Sequence, residues 1–290
     1  MEEYVGIDLG GTKTIVSSAD SKGNIIKQVR ENTPASLNEG LEMLMRMVRE
    51  VSSSPTSIGC ACGGPLDWRN GIVSPVHMPS WRSVPLKEIM EKEFGCNFYV
   101  DVDTNVAALG EYYFGQASKY NVFIYITLST GMGAAKLING KIYRGYGHPE
   151  MGHQSFALSI KHAHKSFVLD EHVCECGAKG CLESYVSGNA IRTIYGTSAE
   201  EITDKNIIEE IAVNFGEGLR NIIALHSPEA IFVGGGVAYG LGEQILGPAR
   251  QIAKNNLKIV PMPEIKLASL GYNSALMGSV ALAIHGNSVM

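Results

Sequence analysis

Three cysteines fall within eight residues, Cys174-Glu175-Cys176-Gly177-Ala178-Lys179-Gly180-Cys181, in a C-x-C-x4-C spacing. Three thiolates and one imidazole close a tetrahedral structural zinc site, and the glycines let the loop curl round an ion. The chain opens Met1-Glu2-Glu3-Tyr4, acidic where a secretory leader would be basic and then apolar, so the cluster reads as metal-binding before disulfide. Chemistry alone leaves the fourth ligand open among His148, His153, His162, His164 and His172. A second chemistry is written in three glycine turns: Asp8-Leu9-Gly10-Gly11-Thr12-Lys13, Leu128-Ser129-Thr130-Gly131-Met132-Gly133 and Val233-Gly234-Gly235-Gly236-Val237. Backbone N–H groups in turns without side chains can surround phosphate oxygens, and Thr or Ser hydroxyls add donors. One such turn is weak evidence. Three, two with an adjacent Thr and one preceded by Asp, point to a nucleotide, although neither a P-loop nor a dinucleotide fingerprint is present. A single carboxylate, Asp103 in Val100-Asp101-Val102-Asp103-Thr104-Asn105, sits where a strand runs into a helix. Spacing alone reads it as a helix N-cap.

The elements that position these residues follow an α/β order. Strands are expected over Tyr4–Leu9, Lys13–Ala19 and Ile25–Arg30, then a helix over Leu37–Val51 with Leu37, Leu41, Leu44, Met45 and Val48 at helical spacing. A strand over Ser57–Ala61 follows, from which Cys60 and Cys62 face the core; Pro85 opens a helix to Phe94, Asn97–Val102 is a strand and Val106–Tyr113 a helix. The order then begins again. Strands Val122–Thr127 and Ala134–Ile138 flank the Gly131-Met132-Gly133 turn, and Asn139-Gly140 is a hairpin turn into Lys141-Ile142-Tyr143. A long helix over Ile207–Leu225, a strand over Ala230–Val233, a helix near Gly242–Asn255, a strand near Glu264 and a helix from Ser274 complete the chain. Two similar domains facing a ligand crevice are the expectation: residues 1–116 plus about 275–290, and residues 117–274.

Composition narrows the class. The chain has 290 residues, enough for one large or two ordinary domains, and 45% are apolar, enough for a sizeable core. Charged residues are 18% and the net charge is −5, with no Lys/Arg cluster, so neither nucleic acid nor a membrane surface is an expected partner. No apolar run reaches the roughly 18–20 residues of a membrane span. A soluble, cytoplasmic protein is expected. Glycine, 33 residues, is in excess and suits tight turns and close approach to a ligand.

At these motifs the sequence resembles the ROK family (repressors, open reading frames and sugar kinases) of the actin/Hsp70/sugar-kinase superfamily, over nearly the whole chain and in family order. The resemblance implies two ribonuclease-H-like (actin-like ATPase) α/β domains with the ligand cleft between them. It implies that Asp8, Gly10, Gly11, Thr12 and Lys13 form the first phosphate motif, Asp8 helping to hold Mg²⁺ through water. Thr130, Gly131 and Gly133 belong to the second, with Ser129 where glycine is common, and Gly234, Gly235 and Gly236 to the adenosine motif. Asp103-Thr104-Asn105, followed by Ala107-Ala108-Leu109-Gly110-Glu111, matches the family's D-A-N segment, whose Asp is the general base toward the attacking sugar hydroxyl. Glu150-Met151-Gly152-His153 matches E-x-G-H and Cys181-Leu182-Glu183 matches C-L-E. By that match His153, Cys174, Cys176 and Cys181 hold the zinc, while Glu150, His153 and Glu183, with Gly64, His77 and Asp103, contact the sugar.

This chain departs from the family pattern in three places. Val102 stands where Asn usually precedes the base. In Ser74-Pro75-Val76-His77-Met78-Pro79-Ser80-Trp81, His77 stands at a sugar-contacting Asn. Ser155–Val173 is about ten residues longer than usual and holds His162, His164 and His172, so a swap of the fourth zinc ligand stays open. The implied activity is ATP-dependent phosphorylation of a hexose, glucose at its 6-hydroxyl first. N-acetylmannosamine or another N-acylhexosamine is the runner-up, with allose and fructose further back. The rivals are a sugar-responsive repressor, for whose DNA-binding segment the motif starting at Asp8 leaves no room, and a catalytically silent sugar sensor. The family implies a homodimer or homotetramer.

Overall fold

The computed structural model describes residues 2–155 and 173–290. Two compact units are present: Met1–Lys119 with Asn139–Ile142 and Asn273–Met290, and Tyr120–Ile138 with Tyr143–Tyr272. The first unit opens with strands β1 (Tyr4–Leu9), β2 (Lys13–Ala19) and β3 (Ile25–Asn32), then helix α1 (Leu37–Val51) and β4 (Ser57–Cys62). Three two-residue strands follow, β5 (Leu66–Asp67), β6 (Ile72–Val73) and β7 (Val84–Pro85), then α2 (Leu86–Phe94), β8 (Asn97–Val102) and α3 (Asp103–Tyr113). Its main sheet runs β3-β2-β1-β4-β8, with β1 antiparallel to β2 and parallel to β4, and β4 parallel to β8. All six residues of β4 are buried, as expected of a strand central in a sheet covered on both faces. Cys60 and Cys62 lie in that core, and burial pushes the Cys62 thiol up to about 12.

The second unit repeats the plan. Its elements are β9 (Val122–Leu128), β10 (Met132–Ile138), α4 (Glu183–Val186), α5 (Gly188–Tyr195) and α6 (Lys205–His226), with β11 (Lys141–Tyr143), whose first two residues are grouped with the first unit, at the edge of its sheet. Then come β12 (Ala230–Gly234), α7 (Gly236–Leu241), α8 (Glu243–Asn256) and β13 (Glu264–Leu267). The sheet order is β11-β10-β9-β12-β13, with β9 antiparallel to β10 and parallel to β12, and β12 parallel to β13. Strand order and sense match the first sheet, so the echo in the sequence is an echo in topology. Asn139 and Gly140, with φ of 51° and 74°, both take the left-handed conformation that a two-residue hairpin turn demands.

The last helix, α9 (Ser274–His285), belongs to the first unit. It approaches β1 and β4 so closely that a Cβ on Gly6 or Gly59 would strike Ser279. Its Gly278 lies against the Val106 carbonyl of α3, and Gly110 of α3 against the Ser274 carbonyl. Backbone-to-backbone packing of this kind tolerates glycine alone.

Several boundaries differ from expectation. Helix α3 begins at Asp103, not Val106, and Val102 occupies the N-cap position. Asp103 is therefore not the cap. Its Oδ1 accepts from the Thr104 N–H at 2.7 Å instead. Met132 and Gly133, expected in a turn, already belong to β10, where Gly133 pairs with Thr127. Among the described residues, no helix is long and apolar enough to cross a membrane.

Candidate active site and metal centre

In the first unit, the candidate chemical residues gather at the carboxyl ends of the parallel strands β1, β4 and β8. Ligands of open α/β sheets collect at such ends. Asp8 shares a register row with Ala61 and Asp101, and Asp103 lies just past the end of β8. Asp101 is fully buried; its Oδ1 accepts the Val102 N–H at 2.7 Å and the Asn105 amide at 3.0 Å, fixing the strand-to-helix junction that presents the exposed Asp103. The Asp8 carboxyl is pushed up to about 6, first by burial and then by the Asp103 charge, with Lys13 drawing it back. The two carboxylates therefore share one patch of field. The Gly10–Lys13 turn closes with the Gly10 N–H on the Lys13 carbonyl at 3.1 Å. Thr33 braces it, donating its hydroxyl to the Gly10 carbonyl at 2.6 Å and its N–H to the Thr12 carbonyl at 3.0 Å. Gly11 lies against the His77 loop, where an added Cβ would sit 3.0 Å from the His77 carbonyl oxygen. Gly64 borders both neighbours of interest: its carbonyl accepts the Val76 N–H at 3.1 Å, and a Cβ on it would lie 3.9 Å from Val102 Cγ2. Asp8, Gly10–Lys13, Gly64, His77 and Asp103 thus belong to one end of one sheet.

In the second unit, the turn after β9 and the turn after β12 meet. Gly235, at φ 96°, packs on the Leu128 carbonyl, and Gly236 opens α7. Between the two turns lies an open cleft of about 380 Å³ bordered by Ser129, Thr130, Arg192, Glu200, Gly236 and Val237, among others. Helix α5, capped by the Ser187 hydroxyl, holds the second turn from behind: the Gly188 N–H bonds the Ser129 carbonyl at 2.7 Å and the Asn189 N–H the Thr130 carbonyl at 3.0 Å. Arg192 and Glu200 escaped the sequence reading. They come from α5 and a separate helical turn, and no local spacing links them to glycines elsewhere in the chain.

The ligand atoms of His153, Cys174, Cys176 and Cys181 lie within 4.8 Å of one another, close enough to share one metal ion. Cys174 Sγ is 3.4 Å from His153 Nδ1, and Cys176 Sγ is 3.7 Å from Cys181 Sγ. The loop is a tight knuckle: the Cys174 N–H bonds the Ala178 carbonyl and the Gly177 N–H the Cys174 carbonyl, both at 2.8 Å. Gly177 and Gly180, at φ 87° and 76°, supply left-handed turns that other residues resist. Burial raises the Cys174 and Cys181 thiols, whereas the Ala178 N–H holds the exposed Cys176 below the usual thiol range. His148, the other described histidine of the upstream set, is not in the cluster; His162, His164 and His172 lie outside the described residues. Glu183 leans on the knuckle, its Oε1 3.2 Å from Cys174 Sγ and 4.0 Å from His153 Nδ1. Glu150 is exposed one short turn before His153, its carbonyl accepting the His153 N–H at 3.1 Å.

The ROK family model matches residues 4–285. The chain is 28% identical to a glucokinase of Streptomyces coelicolor over 99% of both chains, and 30% identical to a fructokinase of Zymomonas mobilis over 97% of this chain and 96% of that one. The structure of a ROK glucokinase from Streptomyces griseus, in complex with glucose and AMPPNP, superposes with a TM-score of 0.79 at 28% identity, covering 98% of this chain and 100% of the other. With motifs in order, two sheets of one topology and relatives matching end to end, the chain is a member of the ROK family, a sugar kinase with the actin-like fold.

Proposed function

We propose that the chain transfers the γ-phosphoryl group of ATP to a hexose hydroxyl, with glucose to glucose 6-phosphate as the first reading. The observation that carries this is the grouping of Asp103, Asp8 and the Gly10–Lys13 turn at one end of the first sheet. Asp103 is the base: exposed at the start of α3, it accepts the proton of the sugar hydroxyl as that oxygen attacks the γ-phosphorus. Phosphoryl transfer asks chiefly for positioning and charge neutralisation, which backbone N–H groups of the Thr-containing turns and Lys13 supply. Asp8, through water, would hold Mg²⁺, which would supply neutralisation of the phosphate charge. The adenosine part takes the cleft lined by Arg192, Glu200 and Gly236. By the family resemblance, Gly64 and His77 of the first unit and Glu150, His153 and Glu183 of the second are the residues expected to contact sugar.

The knuckle suits zinc. A tetrahedral ion with bonds of about 2.3 Å to sulfur sets its thiolates about 3.8 Å apart, close to the 3.7 Å between Cys176 and Cys181. Three thiolates and one imidazole make a closed structural site, so the ion would shape the sugar pocket and take no part in phosphoryl transfer.

Fructose is the second reading, favoured by the 30% identity to a fructokinase. An N-acylhexosamine is the third, favoured by His77, whose ring can meet an acyl group where an amide is expected. ADP release with Mg·ATP and a panel of glucose, fructose, mannose, N-acetylglucosamine and N-acetylmannosamine tests all three. Sugar-dependent ADP release is expected. If sugars bind and none stimulates it, the chain is a sensor and not a kinase.

A further inference from the structure

The two residues flanking Gly131 are each held by a residue that also holds the knuckle. Glu183 follows Cys181 by two residues and begins α4; its side chain is 13% exposed. Its Oε2 accepts the Met132 N–H at 2.8 Å, and its Oε1 accepts the Cys174 S–H at 3.2 Å, a bond given up when Cys174 holds a metal as thiolate. A Cβ on Gly131 would lie 2.9 Å from Oε2, so the turn admits this carboxylate because residue 131 has no side chain. Asn189 spans the same gap from α5. Its N–H bonds the Thr130 carbonyl at 3.0 Å and its amide donates to Glu175 Oε1 at 2.7 Å, Glu175 lying between Cys174 and Cys176. Glu183, Asn189, Thr130, Gly131, Cys174 and Glu175 line one space of about 560 Å³. The knuckle and the phosphate turn are therefore braced by two independent links across a gap.

We infer that Glu183 is a positioning residue which ties the Cys/His knuckle to the second phosphate turn, so that metal in the knuckle sets how tightly the turn binds a nucleotide. This rests on the sugar-kinase reading. Glu183 stands two residues after Cys181, so a metal that fixes Cys181 also fixes the carboxylate that accepts the Met132 N–H beside Gly131. The effect is a coupling between two sites, and coupling is reciprocal: a nucleotide tightens metal binding by the factor by which metal tightens nucleotide binding.

The test is calorimetric binding of AMPPNP with Mg²⁺ to the full chain, zinc-loaded and after removal of zinc by a chelator. Affinity about tenfold weaker in the stripped protein is expected, the scale of one hydrogen bond to a buried N–H. Zinc-loaded Glu183→Ala should bind AMPPNP about tenfold more weakly, and stripping it should cost less than stripping the parent, because only the Asn189–Glu175 link is left to lose. Glu183→Gln keeps an acceptor for the Met132 N–H and should return AMPPNP affinity to within about threefold of the parent. A purely electrostatic role, or a charged contact to sugar, would not be rescued in this way. Equal AMPPNP affinity in loaded and stripped parent overturns the coupling while leaving the kinase reading intact. So does a zinc-loaded Glu183→Ala that binds AMPPNP like the parent, a result that decides the matter even if the stripped chain unfolds. Absence of AMPPNP binding in every form overturns both.

Discussion

Asp101 and Asp103 are two residues apart and do opposite work. Asp101 is sealed in and spends its oxygen on the Val102 N–H and the Asn105 amide; Asp103 emerges at the first position of α3. Asp103→Asn should leave sugar and AMPPNP dissociation constants near the parent values and lower kcat by about 10²–10⁴, the usual contribution of a general base. Near-normal kcat would reduce Asp103 to a helix residue. Val102 sits beside Gly64 with no polar atom to offer. A site that hydrogen-bonds a hydroxyl rejects the analogue lacking it by about 10⁴–10⁵, whereas apolar contacts discriminate by only about 10–200-fold. We therefore propose that a sugar bound there is read loosely near Val102, and glucose, mannose and allose should compete as substrates. Comparison of kcat/KM across them checks this; preference for one sugar by more than about 10⁴ over every epimer would end the idea. Val102→Asn should sharpen the choice among them.

At the scale of elements, the knuckle is a short loop of turns, so an ion is expected to organise it. Fresh protein should contain about one zinc per chain by elemental analysis, and Cys176→Ala should lose zinc and thermal stability together. A second element-scale prediction concerns the crossing of α3 and α9. Gly278→Ala places a methyl against the Val106 carbonyl and should cost about 1–3 kcal/mol in denaturant unfolding, the usual penalty of overpacking. An unchanged midpoint would mean that the two helices separate freely there. Sequence made much of this architecture legible, for a physical reason. Strands such as β1, β2 and β8 are bounded by turn residues, and α1 and α6 are long enough for their period to register. The β5-β6-β7 ribbon has two residues per strand, too few to carry a period, and α4 has four. The Cys cluster and the glycine turns were visible because their members are neighbours in sequence. The brace from Glu183 to Met132 spans 51 residues, and Arg192 and Glu200 meet the glycine turns only in the folded second unit. Such convergences leave no local trace.

The molecule as a whole repeats one strand order in two sheets, then breaks the symmetry with its last helix. After β13 the chain supplies α9 to the unit made first, against Gly6 and Gly59 in the middle of its sheet. A chain shortened before Asn273 should therefore lose amide-exchange protection in β1, β4 and α3 while keeping it in β9, β12 and α6. Equal protection in both sets would show that α9 is dispensable. The same arrangement imposes an order on birth. A ribosome that has just finished β8 must still make residues 103–272 before α9 can begin, on the order of 10–30 s at 5–20 residues per second. Through that interval one face of the earliest sheet waits bare, its glycines offering an apolar groove to any passing chaperone or neighbouring nascent chain. The second unit, made in one run apart from residues Asn139–Ile142, meets no such delay. The half synthesised first is thus the half completed last.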